Sequence, residues 1–135
     1  MPKIVFTNGC FDLFHAGHLH ILSEASKLGD LLYVGMNSDM SIISIKGPFR
    51  PIIPQDQRFE MLAACKYVDR VFMFDELTPQ KLIEQIMPDI VVKGGDWKPQ
   101  DVVGGNVAKV VTIPLLPGIS TTNIIRQIIE DGDCL

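Results

Sequence analysis

Strand-like and helix-like stretches alternate along the whole chain, and this alternation restricts its fold more than any other feature. Short apolar runs predict β-strands at residues 4–6, 31–36, 71–74, 90–92 and 110–113. Apolar residues at helical spacing predict helices over residues 17–28, 55–67, 79–86 and 121–129. Such alternation is typical of a parallel sheet covered by helices. We therefore predict an α/β fold: one Rossmann-like domain over residues 1–135, a three-layer α/β/α sandwich with a five-stranded, mainly parallel sheet.

Composition and charge exclude several classes of protein. The chain has 135 residues, 47% of them hydrophobic, and a net charge of -4. Because a nucleic-acid binder needs a basic face, this charge argues against nucleic acid as a partner. No apolar run approaches the roughly 20 residues that span a membrane, and the first residues do not resemble a signal peptide. We expect a cytoplasmic protein without a membrane partner.

The cysteines indicate neither a disulfide framework nor a metal site. Cys10, Cys65 and Cys134 are odd in number and far apart, and no Cys/His pattern has zinc-ligand spacing. We expect reduced thiols and no metal ion bound by protein side chains.

Two long segments between predicted elements have no regular pattern and are expected to be loops. They cover residues 41–54 and 94–108. In an open parallel sheet, ligands bind beyond the carboxyl ends of the strands, so residues that follow strands are the first candidates for a site.

The segment His15-Ala16-Gly17-His18 is the strongest of these candidates, because it joins the first strand to the first helix. A helix N-terminus offers free backbone N–H groups and a partial positive charge, which suit an anion. Gly17 would let the backbone approach a phosphate closely. Both imidazoles can donate hydrogen bonds to charge on a transferring phosphoryl group. The alternative is that one histidine caps the helix and the other packs against its surroundings.

Several segments resemble a known family. Residues 7–18, TNGCFDLFHAGH, are similar to the HxGH signature of the cytidylyltransferase-like nucleotidyltransferases, and residues 118–125, GISTTNII, are similar to their ISTT motif. Between them lie VGMNSD at 34–39, RP at 50–51, QR at 57–58 and VKGGDW at 92–97, in the order of the family. This combination resembles the heptose 1-phosphate adenylyltransferase subgroup most. The resemblance implies transfer of AMP from ATP to a sugar 1-phosphate, with release of pyrophosphate, giving ADP-heptose for lipopolysaccharide.

The resemblance also implies roles for individual residues. It assigns catalysis to His15, His18 and Lys46, and Mg²⁺ held mainly by the triphosphate. It assigns nucleotide binding to Thr7, Asn8, Gly9, Phe11, Gly17, Lys93, Gly95, Asp96, Ser120, Thr121 and Thr122. It assigns acceptor binding to Asp12, Asn37, Arg50, Arg58 and Trp97. Homodimers are common among such relatives, so a homodimer is expected.

Ordinary structural roles compete with some of these assignments. Asp12 could form a turn after the first strand, and Trp97 could be a packing residue. Arg58 could pair with Glu60 or Asp56 on its own helix. The hydroxyls before the final helix could cap it, and the loop cations Lys46 and Arg50 could be solvated.

Other functions remain open as well. A glycerol-phosphate cytidylyltransferase is the main alternative, although residues 115–118, LLPG, replace an arginine-containing run of that group. An archaeal-type FAD synthetase is a second alternative. A nucleotide-binding regulatory module without turnover is a third, and the complete set of motifs argues against it.

Overall fold

A computed structural model describes residues 1–132 of the chain. The elements, in chain order, are β1 Ile4–Gly9, α1 Ala16–Ser26, β2 Leu31–Asn37, α2 Asp39–Lys46, α3 Gln55–Ala63, β3 Arg70–Phe74, α4 Gln80–Ile86, β4 Ile90–Gly94, a 3₁₀ turn Pro99–Asp101, β5 Lys109–Ile113 and α5 Thr121–Glu130. Cys10 and Cys65 are free thiols, and Cys134 lies outside the described residues.

All strand pairs of the sheet are parallel, in the order β3-β2-β1-β4-β5. From β1 the chain builds outward to β2 and β3, and then returns to the other side of β1 for β4 and β5. The boundary between β1 and β4 is therefore the point where successive connections diverge. In such sheets a crevice opens there, beyond the carboxyl ends of the strands.

Alternate residues of the central strands point to opposite faces of the sheet and form two cores. On one face, Val5 packs in a cluster with Leu22 of α1 and Leu62 of α3, all fully buried. On the other face, Phe6 packs with Ile83 of α4. Each such side chain contributes about 1.5–3 kcal/mol by leaving water. The predicted Rossmann-like α/β/α architecture is confirmed, and the five-stranded sheet is entirely parallel.

The prediction of an irregular loop over residues 41–54 is wrong in its first half, because α2 occupies residues 39–46. Ser38 caps this helix by accepting a hydrogen bond from Ser41 N at 3.2 Å, and Asp39 stands in its first turn. The Ser-Asp pair is a helix-start signal, followed here by apolar residues at 42, 43 and 45. Gly47, at φ 93°, ends the helix.

Other predicted boundaries differ by a few residues. β1 and β4 continue to Gly9 and Gly94, beyond their apolar runs, because their ladders extend into the polar ends. α3 ends at Ala63, four residues before the predicted end, and a turn with Cys65 N donating to Leu62 O follows. Among residues 1–132, no helix combines the length and the apolar character needed to cross a membrane.

Candidate active site

The loop after β1 reverses sharply before α1 begins. Phe11 and Leu13 both have positive φ angles, 51° and 50°, a conformation that costs a non-glycine residue about 1 kcal/mol or more. The buried Phe11 ring lies 5.2 Å from the ring of His18. A side chain at Gly9 would meet the same phenyl ring at 3.2 Å. The loop is thus folded tightly around Phe11, whose ring packs against His18.

His15 and His18 form one unit at the start of α1. Their rings stack with centroids 3.6 Å apart. His15 Nδ1 accepts hydrogen bonds from the backbone N–H groups of Gly17 and His18, at 3.1 and 3.3 Å. His18 Nδ1 accepts from His15 N at 3.2 Å. The pair is therefore a reciprocal capping box made of two imidazoles.

These hydrogen bonds fix the tautomer of both neutral rings. Because each Nδ1 accepts a hydrogen bond, the neutral ring carries its proton on Nε2. Burial lowers the pKa of His15, and burial followed by the charge of His15 lowers the pKa of His18 to about 4. At neutral pH the pair thus offers two uncharged Nε2–H donors to a ligand.

Two expectations about this segment need correction. The first backbone N–H groups of α1 are not all free for an anion, because His15 accepts from two of them. Glycine is also required at position 17 for a reason unrelated to phosphate, because a Cβ there would lie 2.9 Å from His15 Cε1. The glycine makes room for the capping imidazole. The structural and functional interpretations of the histidines coexist, since capping uses Nδ1 and leaves Nε2 available.

The ISTT segment lies against the HAGH segment. Ser120 caps α5 by accepting from Asn123 N at 3.1 Å, as the capping interpretation predicted. Thr121 has a different partner: its Oγ1 donates to the backbone carbonyl of Asp12 at 2.8 Å. Ile119 Cγ2 would be 3.4 Å from a Cβ at Gly17. The starts of α1 and α5 are therefore neighbours, while the Thr122 side chain is exposed.

The carboxylate of Asp12 holds the chain before α3. Asp12 is 3% exposed, and its two oxygens accept from Ile52 N and Ile53 N at 2.7 and 2.9 Å. The sequence suggested either a local turn or contact with the acceptor substrate, and neither suggestion included these hydrogen bonds to a distant segment. Acceptor binding by Asp12 stays a prediction, and in this structure both carboxylate oxygens have backbone partners.

Arg58 requires the largest correction, because its guanidinium is 1% exposed and bonded throughout. Nη1 donates to Cys10 O at 2.7 Å and Asn37 O at 2.8 Å, and Nε donates to Ile53 O at 2.9 Å. Nη2 pairs with Asp39 Oδ1 at 2.7 Å. The predicted alternatives, Glu60 and Asp56, are not its partners. Arg58 therefore joins the loop after β1, the end of β2 and the segment before α3, and ligand binding by its guanidinium stays a prediction.

Two cavities open at the carboxyl ends of β1 and β4, where the sheet topology predicts a crevice. The larger, about 270 Å³, is lined by Asn8, Gly9, Cys10, Asn37, Ile45, Leu77, Thr78, Pro79, Lys93, Trp97, Asp101, Val102 and Val103. The smaller, about 140 Å³, is lined by Thr7, Asn8, Gly9, Cys10, Phe11, His18, Ile21, Lys93 and Gly94. The two cavities share Asn8, Gly9, Cys10 and Lys93. Most predicted nucleotide-binding residues of β1 and β4 thus surround one crevice.

The β4 end carries a cation beside an aromatic ring. Lys93 Nζ lies 5.2 Å from the centroid of the Trp97 ring, within the range of a cation–π contact. Trp97 is 46% exposed, so its ring is available to a ligand. Gly95, at φ 102°, turns the chain away from β4, and Asp96 is exposed.

Lys46 and Arg50 line neither cavity, but Ile45 lines the larger one, so the segment from Lys46 to Arg50 starts at the rim of the crevice. Lys46 is the exposed last residue of α2, and not part of a flexible loop as predicted. Arg50 is half-buried in the segment that follows Gly47, which is irregular. Neither side chain forms an ion pair among the residues that the structure describes. Both cations lie between the end of α2 and the start of α3, and the charge of Lys46 contributes to the lowered pKa of His18.

Sequence reasoning missed part of the cavity wall. Ile45, Leu77, Thr78 and Asp101 line the larger cavity although no motif contains them. Leu77 and Thr78 follow β3, so the rule that sites form after strands was the available signal. Asp101 lies in the 3₁₀ turn, which has no apolar periodicity.

A metal ion would have few protein ligands here. Within residues 1–132, no group of three or more His, Cys, Asp or Glu side chains is placed to hold one. The Asp12 carboxylate is occupied by backbone N–H groups. A divalent cation that binds mainly through a polyphosphate would not require such a group.

The fold and the crevice define a nucleotide-binding α/β protein of the Rossmann-like class. A family model described as cytidylyltransferase-like matches residues 6–127. The chain belongs to the cytidylyltransferase-like family of nucleotidyltransferases.

Relatives over most of the chain agree with this family. The chain is 51% identical over 132 residues to the bifunctional protein HldE of Syntrophotalea carbinolica, covering 94% of this chain and 27% of that protein. It is 50% identical over 131 residues to the bifunctional protein HldE of Cronobacter sakazakii, covering 93% and 28%. The chain thus spans little more than a quarter of the length of these curated relatives.

A solved structure has the same fold. The crystal structure of the lipopolysaccharide core biosynthesis protein from Thermoplasma volcanium GSS1 matches with a TM-score of 0.70 and 30% identity. The match covers 86% of this chain and 98% of that one.

Proposed function

We propose that this chain transfers AMP from ATP to a heptose 1-phosphate and releases pyrophosphate, giving ADP-heptose for lipopolysaccharide. The observation that carries the proposal is the stacked pair His15 and His18, which leaves two neutral Nε2–H groups free at the carboxyl end of β1. Relatives named HldE and a neighbour named for lipopolysaccharide core biosynthesis support the choice of substrates.

The proposed reaction is an in-line displacement at the α-phosphorus of ATP. An oxygen of the acceptor phosphate forms the new P–O bond, and the bond to the β-phosphate bridging oxygen breaks. Because the acceptor phosphate is already ionised at neutral pH, no general base is needed. The protein's task is positioning and stabilisation of charge.

The histidines are suited to that task. Neutral N–H donors that are held by the backbone need no reorganisation when charge develops on the phosphoryl oxygens. Ser120 and Thr121 bring the start of α5 to the same place, where a partial positive charge favours the β- and γ-phosphates. Lys46 and Arg50 would close over the reacting groups from the rim.

Three further points belong to the proposal. Mg²⁺ bound to the triphosphate would neutralise its charge and help pyrophosphate leave. The reaction takes place in the cytoplasm, where ATP is available. The chain forms a homodimer, which light scattering during size-exclusion chromatography would detect as twice the mass of one chain.

The direct test is a pyrophosphate-release assay with purified protein. ATP, CTP and GTP are each combined with heptose 1-phosphate or glycerol 3-phosphate, and kcat/KM is compared. We expect ATP with heptose 1-phosphate to be the best pair, with at least about a tenfold preference over CTP, since a lost base partner costs about 1–3 kcal/mol.

Other outcomes have distinct meanings. A preference for CTP with glycerol 3-phosphate would assign the chain to the glycerol-phosphate cytidylyltransferases. Nucleotide binding without turnover of any pair would indicate a regulatory module.

A further inference from the structure

Lys93 stands at the junction of the two cavities. It lies on β4 one residue before the strand ends, at the boundary with β1 where the crevice opens. Its side chain is half-buried and lines both cavities, together with Asn8, Gly9 and Cys10. A ligand that extends across both cavities would therefore lie beside this lysine.

The ammonium has no anionic partner among the described residues. The ion pairs within residues 1–132 are Lys27–Glu24 and Arg58–Asp39. The ring of Trp97, 5.2 Å away, gives only a weak cation–π contact. A half-buried cation without a carboxylate is costly in the empty protein, and an anionic ligand would remove that cost.

The walls of the two cavities differ in chemistry. The smaller one contains His18 and backbone around Gly9 and Gly94, on the side of the stacked histidines. The larger one is lined by the polar residues Thr78 and Asp101, by Trp97, and by Asn37, whose amide nitrogen donates to Ser41 Oγ at 3.0 Å.

The larger cavity therefore suits a sugar. Its short polar side chains can donate to and accept from sugar hydroxyls. The exposed aromatic ring can cover an apolar sugar face. If a sugar phosphate binds in the larger cavity with its phosphate directed at the smaller cavity, that phosphate lies at the junction, beside Lys93.

We propose that Lys93 is a catalytic residue that binds the phosphate of the sugar-phosphate acceptor and orients it toward the α-phosphorus of the nucleotide. This inference rests on the proposed function and changes the role that the family motif suggested for Lys93, from nucleotide binding to acceptor binding. Asp101, Thr78 and Asn37 line the part of the same cavity that holds the sugar.

The test compares Lys93→Met, Lys93→Arg and the control Lys98→Met. Lys98 is an exposed lysine of the same segment that lines neither cavity. Kinetics are measured with the acceptor varied at saturating ATP, and affinity for a non-hydrolysable ATP analogue is measured by calorimetry. A charged hydrogen bond of about 1.5–3 kcal/mol corresponds to about a 10–100-fold loss.

The expected result is a loss of that size in kcat/KM for the acceptor in Lys93→Met. Affinity for the ATP analogue should change less than about threefold, Lys93→Arg should recover most of the activity, and Lys98→Met should match wild type. An equal loss of analogue affinity with unchanged dependence on acceptor would overturn the inference and return Lys93 to the nucleotide.

A second measurement does not depend on turnover. Glucose 1-phosphate, as a probe, should raise the melting temperature of wild type and Lys98→Met, but not of Lys93→Met. A rise that persists in Lys93→Met overturns the inference. The probe could raise the melting temperature of wild type although the protein turns over no nucleotide. That result would contradict the proposed function but not the assignment of Lys93 to a sugar-phosphate site.

The pH dependence provides a further check. Burial lowers the pKa of Lys93, while the neighbouring Cys10 raises it by a smaller amount. His18 and Asp101 are the other titratable groups on the cavity walls. Acceptor kcat/KM should therefore fall as pH rises through the lowered lysine pKa, and Lys93→Arg should move that fall to higher pH. If acceptor kcat/KM falls at the same alkaline pH in wild type and in Lys93→Arg, the inference is wrong.

Discussion

The hydroxyl of Thr121 donates a 2.8 Å hydrogen bond to the backbone carbonyl of Asp12, which lies 109 residues earlier in the chain. Through its carboxylate, the same Asp12 holds the backbone of Ile52 and Ile53. One residue therefore connects the loop after β1, the start of α5 and the segment before α3. These are three of the segments that we expect to contact ligand.

Replacing Thr121 by Val should disturb this connection. The change keeps the shape of the side chain but leaves the Asp12 carbonyl without its donor, which costs about 0.5–1.5 kcal/mol of unfolding free energy. We expect kcat/KM for ATP to fall about tenfold because the start of α5 shifts. Urea unfolding and pyrophosphate release measure the two effects.

Thr121→Ser, which keeps the hydroxyl, is the matched comparison and should retain both stability and activity. Thr112→Val, at an exposed position of β5, controls for the loss of a hydroxyl elsewhere. Equal behaviour of the Val and Ser variants at position 121 would show that the hydrogen bond is unimportant.

The two roles of His15 can be separated by substitution. His15→Ala removes both the cap and the Nε2–H donor, so it should lose about 1 kcal/mol of stability and about 10²–10³-fold in kcat. Asn is a good N-cap residue, and His15→Asn should recover the stability without the activity. Thermal unfolding and kcat are measured in parallel.

His20→Gln is the control for this experiment, since His20 lies on α1 outside both cavities of the crevice. It should keep wild-type activity. Full activity of His15→Asn would refute the catalytic role and reduce the imidazole to a helix cap.

Acid should destabilise the protein through His18. Its pKa is about 4 in the folded protein, below the usual 6.5, so the unfolded chain binds a proton first as pH falls. The contribution of neutral His18 to the free energy of unfolding is complete above pH 6.5. It is lost between about pH 6.5 and 4, where the free energy of unfolding falls by about 1 kcal/mol per pH unit.

His18→Gln gives the reference, because Gln at this position can still accept the hydrogen bond from His15 N. Urea unfolding of both proteins between pH 4.5 and 7 should give a steeper dependence for wild type. Parallel curves would mean that the His18 pKa is not lowered by the fold.

Arg58 should matter for stability more than for ligand affinity. Arg58→Met leaves the carbonyls of Cys10, Asn37 and Ile53 and the carboxylate of Asp39 without their donor. Breaking such a buried network costs about 3–5 kcal/mol. Urea unfolding should show a correspondingly lower midpoint.

Asp39→Asn is a milder change in the same network, and it covers the case in which Arg58→Met does not fold. It should cost about 1–2 kcal/mol. Arg126→Met, at an exposed position of α5, should be neutral. A stable Arg58→Met protein that binds ATP poorly would restore the predicted phosphate role.

The rim segment should be the first site of proteolysis, over residues 47–51 and not over the whole of 41–54. α2 protects residues up to 46, and Asp12 holds Ile52 and Ile53. Phe49 is 89% exposed, so chymotrypsin should cut there first. ATP with Mg²⁺ should slow the cut, and Lys46→Met should weaken this protection and lower kcat about 10–100-fold.

Phe49→Ser removes the expected cleavage site and should leave the chain largely intact under the same conditions. A first cut at another site, or a rate that does not respond to nucleotide, would exclude closure of this segment over the ligand.

Much of the fold was predictable because it follows from local patterns. Apolar runs predicted all five strands, and helical spacing predicted four of the five helices. The exception was α2, where the cap Ser38 was not recognised as a helix start. The strands β1 and β4 were predicted too short because their last residues are polar or glycine, and only pairing with neighbours makes them strands.

For the site, the sequence predicted which motifs lie at the ends of the strands, but not the contacts of every residue in them. The position of the histidines after β1, and of Ser120 before α5, followed from their places in the chain. The roles of Asp12 and Arg58 did not, because a buried carboxylate or guanidinium has the same sequence pattern as an exposed one. The partners of these two side chains lie up to 48 residues away, and the partner of the Asp12 carbonyl lies 109 residues away, so no local signal identifies them.

The sequence by itself determined the alternation of elements, the class of fold and the segments that reach the carboxyl ends of the strands, because these depend on local spacing and composition. The tertiary structure alone decided that Thr121 meets Asp12, that Arg58 is buried, and that Lys93 stands between two cavities. Burial, hydrogen-bond partners and the protonation of His18 depend on which distant residues surround each group, and only the folded chain brings those residues together.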